Sequence, residues 1–282
     1  MKTFGKILAA GLVALLVGLQ PTESRAGYAY GVTFFGDQLI TIDTTTGLGS
    51  VVGNLSTPMS PFGLAFGGGN LYSFDSTNDV ITQISTATGG TQSTYNIGLT
   101  PGQLLGQGGL AFQNATVGFL TSALDPSTFN TVNDLYMFNI ATGKSTLIAH
   151  TADTLEALAF SSTGVLYGLG KNDGDLYTVN TTTGAMALVG NVGVSIGSPT
   201  GGLAFAPNGT LYATLDDALY TLNTTTGQAT PVGGMATYNG YDTISGLAFT
   251  PGVVPEPSSL VLCGMFLATA GGYGLIRRRK PI

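Results

Sequence analysis

The chain has 282 residues, 43 of them glycine and 12 proline, below the combined share of roughly 25–30 % that marks low-complexity sequence. Hydrophobic residues make up 43 %, enough for a sizeable core, whereas charged residues make up only 9 %, against about 25 % in an average domain. One cysteine excludes an intrachain disulfide framework and a multi-thiolate zinc site, and one histidine excludes every two-histidine metal motif.

In chain order, residues 1–26 are predicted to be a secretory signal peptide. Lys2 and Lys6 form its positive start, Ile7 to Leu19 carry no charge, and Ser24-Arg25-Ala26 puts small residues at the cleavage-specifying positions. Thirteen apolar residues are short for a membrane span, so cleavage after Ala26 is preferred to a retained anchor.

The segment that follows looks like part of a unit. Tyr30-Gly31-Val32-Thr33, Leu39 to Asp43 and Ser50 to Gly53 read as short strands, with Thr44-Thr45-Thr46-Gly47 as a turn. From there a tetrad recurs: Gly63–Phe66, Gly109–Phe112, the variant Ala157-Leu158-Ala159-Phe160, Gly202–Phe205 and Gly246–Phe249, at spacings of 46, 48, 45 and 44. Each of the first four tetrads is followed by a second strand, as in Leu166-Tyr167-Gly168-Leu169, and a third, as in Leu176 to Asn180. Then come a Thr-rich turn ending at Gly89, Gly143, Gly184 or Gly227 and, in most units, a fourth strand such as Ala187 to Gly190. No helical period appears between residues 27 and 253.

Four short strands in every forty to fifty residues is the pattern of β-propeller blades. Alternation sends Leu and Phe of the tetrad to one face and Gly and Ala to the other, so the tetrad strand is predicted to be innermost, where strands crowd together. The first unit lacks a tetrad and the last tetrad lacks a unit. Joined, they complete a blade and remove two open edges. The fold class is therefore all-β, a five-bladed β-propeller over 27–253 closed by pairing of N- and C-terminal segments. An open solenoid would need capping repeats instead. The repeats resemble those of bacterial extracellular propellers with Leu-Tyr-x-Ile-Asp-x-x-Thr-Gly units, a likeness that bears on architecture only.

Residues 254–282 have three parts: Val254-Pro255-Glu256-Pro257 with two serines, an uncharged apolar stretch from Leu260 to Ile276, and Arg277-Arg278-Arg279-Lys280. Seventeen helical residues cover about 26 Å, close to a hydrocarbon core, and the cations fix the cytoplasmic side. This order of motif, transmembrane helix and basic cluster resembles the PEP-CTERM sorting signal of Gram-negative bacteria. The resemblance implies export, transient anchoring in the inner membrane and recognition by an exosortase-type enzyme that removes the tail. A plain membrane anchor is the alternative. Cys263 lies in the span, as an apolar filler.

Without the two ends the charge changes. Residues 27–253 keep two cations, Lys144 and Lys171, and thirteen acids, a net charge of −11 in place of −6 for the whole chain. Such a surface repels phosphate backbones, so no nucleic-acid partner is expected.

Candidates for chemistry are few. His150 could in principle join a Ser-His-Asp set, but no nucleophile-elbow pattern accompanies it, and a surface position is the simpler reading. Asp37, Asp79, Asp134, Asp175 and Asp217 recur nine or ten residues before the turn glycines, which places them on one end of the disc. They are either turn formers or a weak cation-attracting face. Asn172-Asp173-Gly174-Asp175 resembles a fragment of a calcium loop, making Asp173 and Asp175 the candidate metal ligands. It lacks the later bidentate Glu and reads better as a hairpin turn. No cofactor is implied.

The expectation is an exported, surface-sorted, non-catalytic propeller that binds or organises an extracellular polysaccharide or surface partner. The alternative is a secreted lyase or hydrolase using the acids and His150.

Overall fold

The structure is a computed structural model, and it describes residues 27–33, 37–55, 61–99, 108–124, 131–171, 173–194, 201–215, 218–232 and 244–251. The predicted signal peptide and the predicted tail, with Val254, Pro255, Glu256, Pro257 and Arg277–Lys280, lie outside the described residues. Among the described residues no helix is long and apolar enough to cross a membrane.

The protein is an all-β, five-bladed propeller. Blade one joins β1 (Tyr28–Thr33), β2 (Gln38–Asp43) and β3 (Gly49–Asn54) to the last described strand. Blade two is β4 (Pro61–Gly67), β5 (Asn70–Asp75), β6 (Val80–Ile84) and β7 (Thr91–Asn96). Blade three is β8 (Leu110–Phe112), β9 (Val117–Leu124), β10 (Thr131–Asn139) and β11 (Lys144–His150). Blade four is β12 (Leu155–Phe160), β13 (Leu166–Gly170), β14 (Asp175–Val179) and β15 (Met186–Asn191). Blade five is β16 (Gly202–Phe205), β17 (Leu211–Leu215), β18 (Ala218–Leu222) and β19 (Ala229–Pro231). That last described strand, β20 (Ile244–Ala248), pairs antiparallel with β1, Gly31 opposite Leu247. The ring thus closes as the split first unit requires.

Alternation in the tetrad builds five cores, one at each joint. Leu64 and Phe66 pack on blade one with Val32 and Leu39, while Ala65 turns to blade three. Leu110 and Phe112 pack on blade two, Leu158 and Phe160 on blade three, Leu203 and Phe205 on blade four, and Leu247 and Phe249 on blade five. Each tetrad Phe meets an aromatic ring from the second strand of the preceding blade. The pairs are Tyr30–Phe66, Tyr72–Phe112, Phe119–Phe160, Tyr167–Phe205 and Tyr212–Phe249, with centroids 4.8 to 6.0 Å apart. Such pairs contribute about 0.5–1.5 kcal/mol each beyond area burial.

The small residues of the tetrad face the following blade at the axis. A methyl on Gly63 would come within 2.5 Å of the Leu110 backbone nitrogen, one on Gly202 within 2.6 Å of that of Leu247, and one on Gly246 within 2.6 Å of that of Leu64. The tetrad strands are therefore innermost, and they approach closely enough that a side chain there displaces backbone. Hydroxyls of the second strands serve the same belt. Gly109 N donates to Thr121 Oγ1 at 2.7 Å, Gly202 N to Thr214 Oγ1 at 2.6 Å, and Ser73 Oγ to Gly63 O at 2.9 Å.

Candidate functional site

The antiparallel order gives the disc two ends of different chemistry. One end carries the third-to-fourth-strand turns and both ends of the described propeller, since Tyr28 lies opposite Asp43 and Ala248 opposite Tyr30. Its charged residues among those described are Asp43 and Lys144. The opposite end carries the hairpins between second and third strands and the starts of the inner strands. There the described residues include Asp37, Asp75, Asp79, Asp134, Asp153, Glu156, Asp173 and Asp175, with Lys171 as the cation.

Of the acids predicted as a recurring set, Asp37, Asp79, Asp134 and Asp175 are on that end, but each serves its own blade. Asp37 and Asp79 stand at φ 46° and 52°, the left-handed turn conformation that Asp tolerates. Asp134 is 2.6 Å from His150 Nδ1. Asp217 and Asn172 lie outside the described residues. His150 ends β11, and its side chain is 78 % exposed, which fits the surface reading.

A polar group is built on the β13–β14 hairpin of blade four and the connection that leads into that blade. The β13–β14 hairpin is an Asx turn. Asp175 N donates to Asp173 Oδ1 at 2.9 Å, and Gly174 has φ 70°. Tyr177 OH donates to Asp173 Oδ2 at 2.6 Å, and Asn191 Nδ2 donates to Asp175 Oδ1 at 2.7 Å. Gly170 leaves room for this arrangement, because a methyl there would meet oxygens of both Asp153 and Asp173. The structure thus brings Asp173 and Asp175 together, as the sequence suggested, and ties both into the hairpin. Among the described residues no three His, Cys, Asp or Glu side chains group so as to hold a metal ion.

Electrostatics follow from this packing. Burial opposes the ionised form of Asp173, but the Tyr177 hydroxyl, the Asp175 amide and an interaction with Asp153 outweigh it, so its pKa lies below the usual value. Burial first, then the bond to Asp173 and the charges of Asp173, Asp175 and Asp153, raise the Tyr177 phenol far above the usual range. Nearer the axis, Glu156 is 3 % exposed, and a methyl on Gly201 of the next blade would meet its Oε1. Lys171 is its electrostatic partner. Burial lowers the lysine pKa, and the Glu156 charge works in the opposite direction. Thr154 hydrogen-bonds Asn133, and Thr151 Oγ1 donates to Asp153 O at 2.8 Å. These bonds hold the approach to β12.

Sequence reasoning missed Asp153, Glu156 and Lys171. The aligned tetrads carried a signal for one of them. The residue before the tetrad is Phe62, Gly108, Glu156, Gly201 and Ser245 in the successive blades, so blade four alone has a charge there.

No family model matches the chain, and no curated protein matches it. Among solved structures, 781 chains match, so the architecture is too widespread to single out an activity. One of them, reported under the description "The de novo evolutionary emergence of a symmetrical protein is shaped by folding constraints", has a TM-score of 0.50 and 16 % identity. The match covers 80 % of this chain and 99 % of that one. At that identity the likeness concerns the fold alone.

Proposed function

We propose that this is an exported, surface-sorted propeller without catalytic activity, whose polar end binds an extracellular polysaccharide. The observation that carries the reading is the segregation of charge among the described residues: eight acids and Lys171 on one end, against Asp43 and Lys144 on the end where the chain enters and leaves the body. On that polar end the Tyr177 ring, the Asn191 amide and the carboxylates of Asp173 and Asp175 offer a stacking surface with acceptors and donors, the chemistry that sugar hydroxyls require. The signal-like start and the PEP-CTERM-like tail support export, transient anchoring in the inner membrane of a Gram-negative cell, and release by an exosortase-type enzyme.

Calorimetric titration of the purified protein with the exopolysaccharide of its host, with and without Ca²⁺, tests the binding. Saturable heat that Asp173→Asn weakens supports the reading. Flat titrations in both conditions sink it, and binding to a surface protein instead would move the partner to another class. Export is tested separately by the mature N-terminus, expected at Gly27. The pairing of His150 with Asp134 at 2.6 Å favours a second reading, a lyase or hydrolase. Turnover of an extracellular polymer that His150→Ala abolishes would establish it.

A further inference from the structure

The end of the disc opposite the polar site repeats one turn five times, and the turn uses only some of its residues. In blade one, Asp43 Oδ1 accepts from Thr45 N at 2.7 Å and Thr46 N at 3.1 Å, Gly47 N donates to Asp43 O at 2.7 Å, and Thr46 Oγ1 accepts from Leu48 N at 3.3 Å. Blade four repeats this with Asn180, Thr183 and Gly184, and blade five with Asn223, Thr226 and Gly227. The first, fourth and fifth positions are thereby explained.

The third position is not. Thr45, Thr182 and Thr225 hold it in blades one, four and five, and each contributes a backbone N–H while its side chain is exposed. Ala87 and Ala141 hold the same position in blades two and three, make the same backbone bond and are equally exposed. The turn therefore does not need a hydroxyl there. A β-branched residue in such helix-like turns costs a few tenths of a kcal/mol relative to alanine. Three threonines at one equivalent, exposed position of an end whose described charges are only Asp43 and Lys144 are surplus to the fold.

We infer that Thr45, Thr182 and Thr225 are attachment sites for O-linked sugar. The donor is a sugar activated as a diphosphate ester, on a nucleotide or a lipid carrier. Threonine Oγ1 forms the bond to the anomeric carbon as the bond from that carbon to the diphosphate oxygen breaks. The carrier leaves with the bonding pair, and the hydroxyl proton passes to a base of the transferase. The inference rests on the export reading but not on the polar-end ligand, and it leaves that end unblocked.

Peptide mapping by mass spectrometry of the full chain recovered from its native host decides the matter, with the N-terminus determined on the same sample. Sugar increments on Thr45, Thr182 and Thr225, each lost in Thr45→Ala, Thr182→Ala or Thr225→Ala, are expected. The thermal midpoint of the unglycosylated variants should match that of enzymatically deglycosylated protein, because alanine already serves in blades two and three. Bare threonines on a chain that starts at Gly27 overturn the inference and leave export standing. Bare threonines on a chain that still starts at Met1 overturn both. Sugar on the turn-forming Thr46, Thr183 or Thr226, or phosphate at any of these positions, also overturns it.

Discussion

The axis and the polar end of the disc are built on opposite principles. At the axis all five blades do the same thing: a small residue lets the next blade's leucine backbone in, and a phenylalanine stacks on the previous blade's aromatic ring. At the polar end the described residues of blades two, three and four each do something different. Blade two buries Asp75 and Asp79, blade three pairs Asp134 with His150, and blade four assembles Asp153, Glu156, Lys171, Asp173 and Tyr177. Closing a ring imposes the same steric condition at every joint, so repetition measures what the fold demands. Departure from repetition marks residues the fold does not require, and those are where a specific surface is built.

The sharpest way to break this comparison is at the axis. Gly202→Ala places a methyl against the backbone of Leu247, and backbone on both sides cannot yield as a flexible side chain would. We expect a loss of about 3 kcal/mol, the upper part of the overpacking range, seen as a drop in the thermal midpoint of about 6–12 °C for a body of this size. Ala157→Gly, the reciprocal change at the one tetrad that begins with alanine, should cost no more than about 1 kcal/mol. Equal effects of the two would mean that joints of the ring are not equivalent in the way the tetrads imply.

At the polar end the largest effect is expected from Lys171→Gln. It leaves the Glu156 carboxylate, 3 % exposed, without its cation. Removing one partner of a fully buried pair costs about 3–5 kcal/mol. Lys171 is itself only half-buried, so about 2 kcal/mol is the discounted figure, to be read from urea unfolding at neutral pH. An unchanged midpoint would mean that solvent reaches Glu156.

These two variants also divide what could be read from the sequence. Gly202 and its four equivalents were legible because the tetrad recurs at nearly constant spacing and because Gly and Ala alternate with Leu and Phe. Ring closure by β20 against β1 was legible because the two end fragments were complementary. Asp173 and Asp175 were legible as a pair because they are neighbours in one turn. Lys171 and Glu156 were not, since their interaction joins a hairpin to an inner strand fifteen residues away and depends on Gly201 of the next blade. The bond of Tyr177 to Asp173 escaped for a similar reason: whether a tyrosine of a Leu-Tyr pair turns its hydroxyl to a neighbour is decided by strand register. The pair of His150 with Asp134 is likewise set by the register of β10 on β11.

On the turn end, Asn180→Ala should cost about 1 kcal/mol. Its Oδ1 accepts from Thr182 N at 2.9 Å and Thr183 N at 3.0 Å, and an exposed neutral bond contributes about 0.5–1.5 kcal/mol net. Asn223→Ala, at the equivalent position of blade five, should give the same value within error if repetition implies equivalence. Differential scanning fluorimetry of the two variants side by side makes that comparison.

Tyr177→Phe carries the smallest effect at neutral pH, under about 1 kcal/mol given its partial exposure, and the most informative shape. The phenol's folded pKa is raised by burial and by Asp173, so its contribution is fully present below the unfolded value of about 10 and is lost as pH rises through the folded value. Phenylalanine has no proton to lose, so the gap between wild type and variant should close above about pH 10. On the acid side the sign reverses. Asp173 has a lowered folded pKa, against burial, in part through the Tyr177 bond, so its contribution is present above about 3.9 and is lost as pH falls through the folded value. The variant lacks that donor and should lose less stability on acidification. Wild type and variant should therefore differ most between these limits and converge toward both. Urea midpoints measured from about pH 3 to about 11 would show it. Two parallel curves would mean that the hydroxyl makes no effective bond to the carboxylate in solution, and the polar end would then lose the contact that orients its aromatic ring.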